Sequence, residues 1–271
     1  MRILVKVGGA PLLEESGRLQ FARSVASAQA AGHEVLIVHG GGEQIRLLCG
    51  RLGVADNYVD GLRVTDAVTA EIVQAVLVGG VGGDLVHALQ REGVNAAGLC
   101  GTDGGSYSAA PLFVRGQSLG FVGELTDIDP SFPLALAGMG CVPVMASLAP
   151  LASGAAGDAS RLYNVNADHA AGPIAAAMKV DALLMLSDVN AVRDADGREL
   201  DCITPEQHAR LLESGALSGG MLPKLDAALA AARARPEARI LVSTAEREDC
   251  ILRALAPGGG TRIHSGEAIH G

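Results

Sequence analysis

Six short apolar runs recur along the chain: ILVKV (3–7), EVLIV (34–38), NAAGLC (95–100), CVPVM (141–145), ALLMLS (182–187) and RILVS (239–243). They are continuously apolar rather than alternating, the pattern of strands buried on both faces, and most of the stretches between them have helical spacing. Strands alternating with amphipathic helices predict an α/β fold, a three-layer αβα sandwich around a mostly parallel central sheet. Ser106–Asp127 departs from this pattern. It alternates on either side of an Arg-Gly-Gln turn and predicts an antiparallel hairpin or an edge excursion, an insertion suited to covering a ligand. The Ala-rich AALAAARARPEA reads as a helix stopped at Pro236. Pro130–Gly157 carries no charge, but Pro133, Pro143 and Pro150 interrupt it below bilayer length, so it reads as a buried helix followed by a core strand. No repeat or low-complexity linker divides the chain. A single domain over 1–271 is expected, with a soft internal division near residue 150 and both halves sharing one sheet.

Composition narrows the partners. Hydrophobic residues make up 49 % and charged residues 19 %, which excludes disorder, and a net charge of -9 argues against a partner held by phosphate contacts along a nucleic acid. Aromatic residues are scarce, leaving few platforms for stacked bases. A small molecule is the expected partner, with neither nucleic acid nor membrane involved. Cys49, Cys100, Cys141, Cys202 and Cys250 are scattered, odd in number and never in a C-x-x-C spacing, which predicts buried free thiols and a cytoplasmic protein. The N-terminal MRILVKVGG lacks the long apolar core of a signal peptide.

The stretch VLIVHGGGEQI (35–45) raises the chemical question, since a strand runs through His39 into three glycines before a helix begins. KVGGA (6–10) repeats the arrangement. Gly8, Gly9, Gly41 and Gly42 thus follow strands at the edge where ligands of open α/β sheets bind, and their N–H groups could cradle an anion. Neither cluster fits a phosphate-loop or dinucleotide pattern, and either alone reads equally well as a tight connection. Only three of the 21 basic residues are lysines, and two of them, Lys6 and Lys224, stand beside glycine pairs. A lysine inside a buried strand must be paired, face a polar cleft or snorkel to the sheet edge. Lys179, at a helix end, fits the last case. In YNVNADHAAG (163–172), alternation points Asn164 and Asn166 to one side, and Asp168 is placed either to cap the next helix or to bind. In DGLRVTDA (60–67), Arg63 offers a fork for a carboxylate and Thr65-Asp66 starts a helix.

KVGGA, VHGGG, GLRVTD, GLCGTDG, NVNAD, LSDV and SGGMLPK together, in this order and spacing, resemble the amino acid kinase superfamily and, within it, the acetylglutamate kinases. The likeness covers essentially the whole chain. It implies the amino acid kinase fold and ATP-dependent phosphorylation of the side-chain carboxylate of N-acetyl-L-glutamate, a step of arginine biosynthesis. By motif, Lys6 and Lys224 would stabilise the transferring phosphoryl group and Asp168 would orient both lysines. Gly8, Gly9, Gly41 and Gly42 would donate N–H groups, Arg63 would grip the substrate α-carboxylate, and Asn164 and Asn166 would lie near the substrate. Ser187, Asp188, Gly219, Gly220 and Met221 would line the nucleotide site. The half before about residue 150 would take the acyl amino acid and the half after it ATP. Mg2+ is expected with ATP, held by phosphate oxygens and water, with no protein ligand singled out. A carboxylate with a pKa of about 4.3 is already a nucleophile at neutral pH, so His39 is expected to be structural rather than a base.

The pattern departs from the family at Gly82-Gly83, where Asn-Lys is usual, and at Ala191 and Ala10, where glycine and serine are frequent. Four glycines (79, 80, 82, 83) in one helix cost roughly 1 kcal/mol each, so the helix is expected to break there or to pack very closely. Arginine-inhibited members carry an extra N-terminal helix. With the lysine at position six, an arginine-insensitive homodimer is expected. The competing readings are a kinase for carrier-protein-linked aminoadipate or glutamate of lysine biosynthesis, which would call for a basic docking surface, and a non-catalytic amino acid or nucleotide sensor on the same fold.

Overall fold

A computed structural model describes residues 1–217 and 220–266. The chain opens with β1 (Arg2–Val7), α1 (Glu15–Ala30), β2 (Glu34–His39) and α2 (Gly42–Leu52). A small hairpin, β3 (Tyr58–Val59) and β4 (Leu62–Arg63), precedes α3 (Ala67–Gln74), a π-helical segment Ala75–Gly82, α4 (Gly83–Arg91) and β5 (Ala96–Leu99). Next come β6 (Tyr107–Val114), β7 (Gln117–Ile128), α5 (Ser131–Gly138), β8 (Val142–Ala146), β9 (Leu148–Ala149) and β10 (Tyr163–Val165). The chain continues through α6 (Ala167–Ala177), β11 (Ala182–Ser187), β12 (Cys202–Ile203), α7 (Pro205–Glu213), α8 (Met221–Ala234), β13 (Arg239–Thr244), α9 (Cys250–Leu255) and β14 (Thr261–Ile263).

All six apolar runs are strands of one eight-stranded sheet, ordered β12-β14-β13-β11-β1-β2-β8-β5. Among the described residues only its β13–β14 pair is antiparallel. Strands from before residue 150 occupy one side of the sheet and strands from after it the other, joined where β1 runs parallel to β11 with Lys6 beside Met185. Alternation along β1 sorts its side chains between two cores. Ile3, Val5 and Val7 join the layer containing α1, α4 and α9, while Leu4 joins the layer of α6 and α8. Lys6 lies two residues beyond Leu4 and therefore faces the α6–α8 layer at its ligand-binding edge.

The expected hairpin is present. β6 and β7 pair antiparallel, and through β10 and β9 they build a second, four-stranded sheet. This sheet is tied to the strand end after β4, where Thr65 N–H donates to Leu119 O at 2.8 Å and Phe121 N–H donates to Thr65 O at 2.7 Å.

Two expectations are corrected. The helix of the uncharged stretch, α5, buries only Pro133 and leaves Phe132 and Met139 at 40 % and 71 % exposure. It covers β8 near the open edge of the sheet, so its apolar composition reflects small residues over a margin rather than burial. Cys202 is half-buried, whereas the other four thiols are buried.

The glycine-rich helix neither breaks nor stays α-helical: Ala67–Arg91 is continuous, with a π-helical middle. Among the described residues it is the one helix long and apolar enough to cross a bilayer, with a mean hydropathy of 1.6 over its most apolar 18 residues, half of which are buried inside the fold. A core helix has the same composition.

Candidate active site

The two glycine-flanked lysines converge. Lys6 Nζ lies 2.7 Å and Lys224 Nζ 3.0 Å from the same atom, Asp168 Oδ1, and both lysines are 7 % exposed. β1 delivers Lys6, the first turn of α8 delivers Lys224, and α6 presents Asp168 between them. Of the two roles open to Asp168, capping belongs to its neighbour. Asn166 Oδ1 accepts from Asp168 N–H at 2.9 Å and from His169 N–H at 3.3 Å. That cap frees the Asp168 carboxylate for the lysines.

The charges follow from this geometry. Burial by itself would raise the Asp168 pKa, but Lys6 and Lys224 more than reverse it and hold the carboxylate ionised, at about 2. Burial pulls the Lys6 pKa below its usual 10.5, opposed by Asp168 and reinforced by Lys224. Two cations share one anion, leaving a net positive centre walled off from bulk water.

Two cavities meet at this centre, and a third extends one of them. One of about 210 Å³ is lined by Lys6, Gly8, Gly9, Gly41, Gly42, Arg63, Asn164, Asn166 and Asp168, with Leu77, Val122 and Ser147 completing its walls. A second, of about 400 Å³, shares Lys6, Gly8, Gly9 and Asp168 with the first and adds Ser187, Asp188, Gly220, Met221 and Lys224. A third, of about 640 Å³, continues from Asp188 and Met221 past Arg193, Thr244, Glu246 and Arg247. Together they form a cleft along the carboxyl ends of the sheet strands, with Lys6 and Asp168 at the junction. Gly219 lies outside the described residues.

The three glycines after β2 have separate reasons. Gly40 N–H donates to Val7 O at 3.3 Å, which ties β2 to the end of β1. A Cβ on Gly41 would stand 2.8 Å from Leu77 Cδ2 and 2.9 Å from Val81 Cγ2, so the π-helical segment occupies its side-chain space. Gly42 has no neighbour in that direction and faces the cavity. The expected room for a ligand is therefore real at Gly42, while at Gly41 another helix fills it. No side chain caps α2, so its first N–H groups remain available to an anion.

Arg63 reaches the cavity already engaged. It is 6 % exposed, pairs with Asp56, donates to Gly42 O at 2.9 Å and lies 4.9 Å over the ring of Tyr58. Its guanidinium is thereby fixed in place, with part of its fork taken by protein. Asn164 Nδ2 donates to Thr65 Oγ1 at 3.4 Å. Ser187 Oγ is buried without a partner among the described residues, beside the second cavity.

Comparison with known proteins decides the family. The family model described as amino acid kinase matches residues 1–241. This chain belongs to the amino acid kinase family. Proteins named acetylglutamate kinase from Gluconacetobacter diazotrophicus and Acidiphilium cryptum are each 38 % identical to it, over 98 % and 97 % of this chain and 86 % and 90 % of their own. A Streptococcus mutans protein of known crystal structure is 27 % identical and superposes with a TM-score of 0.81, over 97 % of this chain and 98 % of that one.

Several lining residues of this amino acid kinase escape sequence reasoning. Val122 comes from the hairpin sheet, Ser147 from the junction of β8 and β9, and Leu77 from the π-helical segment. Each sits in an ordinary apolar or turn context, and only the folded arrangement turns it toward the cleft. Asp56 gives a partial signal, as an acidic residue seven positions before the arginine with which it pairs.

Proposed function

We propose that the protein transfers the γ-phosphoryl group of ATP to the side-chain carboxylate of N-acetyl-L-glutamate, forming an acyl phosphate. The observation that carries this reading is the pair of buried ammonium groups on Asp168 Oδ1 at the junction of two cavities. The smaller cavity takes the acylated amino acid and the larger cleft takes the nucleotide, so that the half before about residue 150 serves the acceptor and the half after it serves ATP.

Phosphoryl transfer between two bound oxygens asks for alignment and positive charge more than for proton transfer. Lys6 and Lys224 stabilise negative charge as it spreads over the equatorial oxygens, and Asp168 keeps the two ammonium groups at fixed separation. The uncapped N-terminus of α2 contributes N–H groups at Gly41 and Gly42. Arg63 offers its remaining donors to the α-carboxylate of the acceptor. Asn164 and Asn166 border the same space, and Ser187, Asp188, Gly220 and Met221 line the nucleotide path. The acceptor carboxylate is ionised at neutral pH and needs no base.

Magnesium enters as part of the MgATP substrate, carried by phosphate oxygens and water. Among the described residues no group of three or more His, Cys, Asp and Glu forms a metal cage, and Asp168 is engaged by two cations. A homodimer in a reducing cytoplasm fits this reading, in keeping with five free cysteines. The carrier-linked alternative is disfavoured by the net charge of -9, which suits no acidic carrier.

The test is ADP release from MgATP with N-acetyl-L-glutamate, N-acetyl-L-aspartate, glutamate or no acceptor, with hydroxylamine trapping the acyl phosphate. Trapped product with N-acetyl-L-glutamate alone supports the proposal, and ADP release without trapped product overturns it.

A further inference from the structure

His39, the last residue of β2, is fully buried and takes no part in the chemistry above. Its Nδ1 lies 3.1 Å from the carbonyl oxygen of Gly40, while Nε2 is buried without a partner among the described residues. A buried N–H with no acceptor is costly, so the ring proton belongs on Nδ1, where it donates to Gly40 O. The space next to Nε2 belongs to Gly82 of the π-helical segment. A Cβ there would stand 3.3 Å from Nε2 and 2.9 Å from Leu77 O. The same segment fills the side-chain space of Gly41 through Leu77 and Val81. The ring is thus wedged between a helix that admits no side chain at residue 82 and the carbonyl of the glycine that follows it.

We propose that His39 is a positioning residue: by donating from Nδ1 to Gly40 O it sets the plane of the Gly40–Gly41 peptide and so aims the Gly41 N–H at the transferring phosphate. A trans peptide is planar, with N–H and C=O pointing in opposite directions. Holding the carbonyl toward the ring therefore holds the N–H away from it, and Gly41 lines the cavity at Lys6. A donor aimed in advance lowers the reorganisation needed at the transition state. The π-helical turn is part of the device, because it closes on both His39 and Gly41.

The inference rests on the proposed kinase reading for its rate effect but not for its geometry, and the experiment separates the two. Imidazole and amide 15N spectra of the wild type, His39→Asn, His39→Gln and His39→Leu proteins are recorded together with kcat and KM for MgATP and N-acetyl-L-glutamate. Asn places its amide N–H near the position of Nδ1, whereas Gln places it near Nε2. The expected wild-type tautomer is protonated on Nδ1. The Gly41 amide resonance should move in the Leu and Gln variants and return close to its wild-type position in the Asn variant. His39→Leu should lower kcat at least about tenfold with little change in KM, and His39→Asn should recover most of that loss. A wild-type ring protonated on Nε2, a Gly41 resonance indifferent to residue 39, or an Asn variant as slow as the Leu variant would each overturn the proposal. If the wild type shows no turnover, the kinase reading fails while the tautomer and the Gly41 resonance still decide this one.

Discussion

Lys6 and Lys224 approach within 2.7 and 3.0 Å of a single oxygen, Oδ1 of Asp168, although they come from opposite ends of the chain. Two like charges this close are tolerable only while the carboxylate stays ionised between them. Asp168→Asn keeps the shape and removes the charge. It should lower kcat by about a hundredfold or more while changing KM far less, because the lost interaction acts where charge develops. Asp168→Ala should also destabilise the fold by about 3 to 5 kcal/mol, the usual cost of leaving buried charge uncompensated. Steady-state kinetics and urea unfolding check both.

Lys6 sets the alkaline limit of activity. Burial lowers its pKa below 10.5, so its ammonium is lost at a lower pH than that of an exposed lysine. The kcat/KM profile, which reports the free enzyme, should fall on the alkaline side with a midpoint below 10.5, and Lys6→Arg should remove that limb while lowering kcat, since a guanidinium keeps its proton but not the compact geometry. A flat profile up to that pH would refute the assignment.

His39 sets an acid limit of stability. Burial lowers its folded pKa from 6.5 to about 4. The unfolded chain therefore binds more protons between these values, and stability present above 6.5 is lost as pH falls toward 4. Denaturant unfolding should show a loss of about 2 kcal/mol from this group between roughly pH 7 and pH 5, a loss that His39→Asn removes. Asp168, ionised down to about 2, contributes nothing in that window.

The side-chain positions of Gly41 and Gly42, as distinct from their N–H groups, separate packing from binding. Gly41→Ala sets a methyl 2.8 Å from Leu77 Cδ2 and should cost about 1 to 3 kcal/mol by overpacking, partly relieved in the Gly41→Ala/Leu77→Ala double variant. Gly42→Ala meets nothing within 4 Å at the start of α2, and should keep or slightly raise thermal stability while raising KM for the acceptor. The reverse ranking would mean that the two glycines have exchanged roles.

Much of the site could be read from the sequence because its chemistry violates local expectation. Lys6 interrupts a strand that is otherwise buried, and two of three lysines stand beside glycine pairs. Local pattern alone does not distinguish cap from ligand at Asp168, because both uses place an acidic residue in the first turn of a helix. The choice turns on Asn166, whose side chain reaches the N–H groups first.

The sequence by itself determined the sheet. Continuous apolar runs suit strands covered on both faces, and all six became strands of the eight-stranded sheet, five of them inside it and β5 at its edge. It also determined the helices with strong stops, such as α8, which ends shortly before Pro236. Tertiary structure decided what no local pattern encodes. It drew three of the four glycines of the Ala67–Arg91 helix, Gly79, Gly80 and Gly82, into a π-helical segment instead of a break, because Gly82 must clear His39 and the segment must fill the space beside Gly41. It paired Arg63 with Asp56 and brought Val122 and Ser147 to the cavity wall. These outcomes depend on close contacts between segments far apart in the chain, and packing at that range responds to shapes that meet only once the chain has folded.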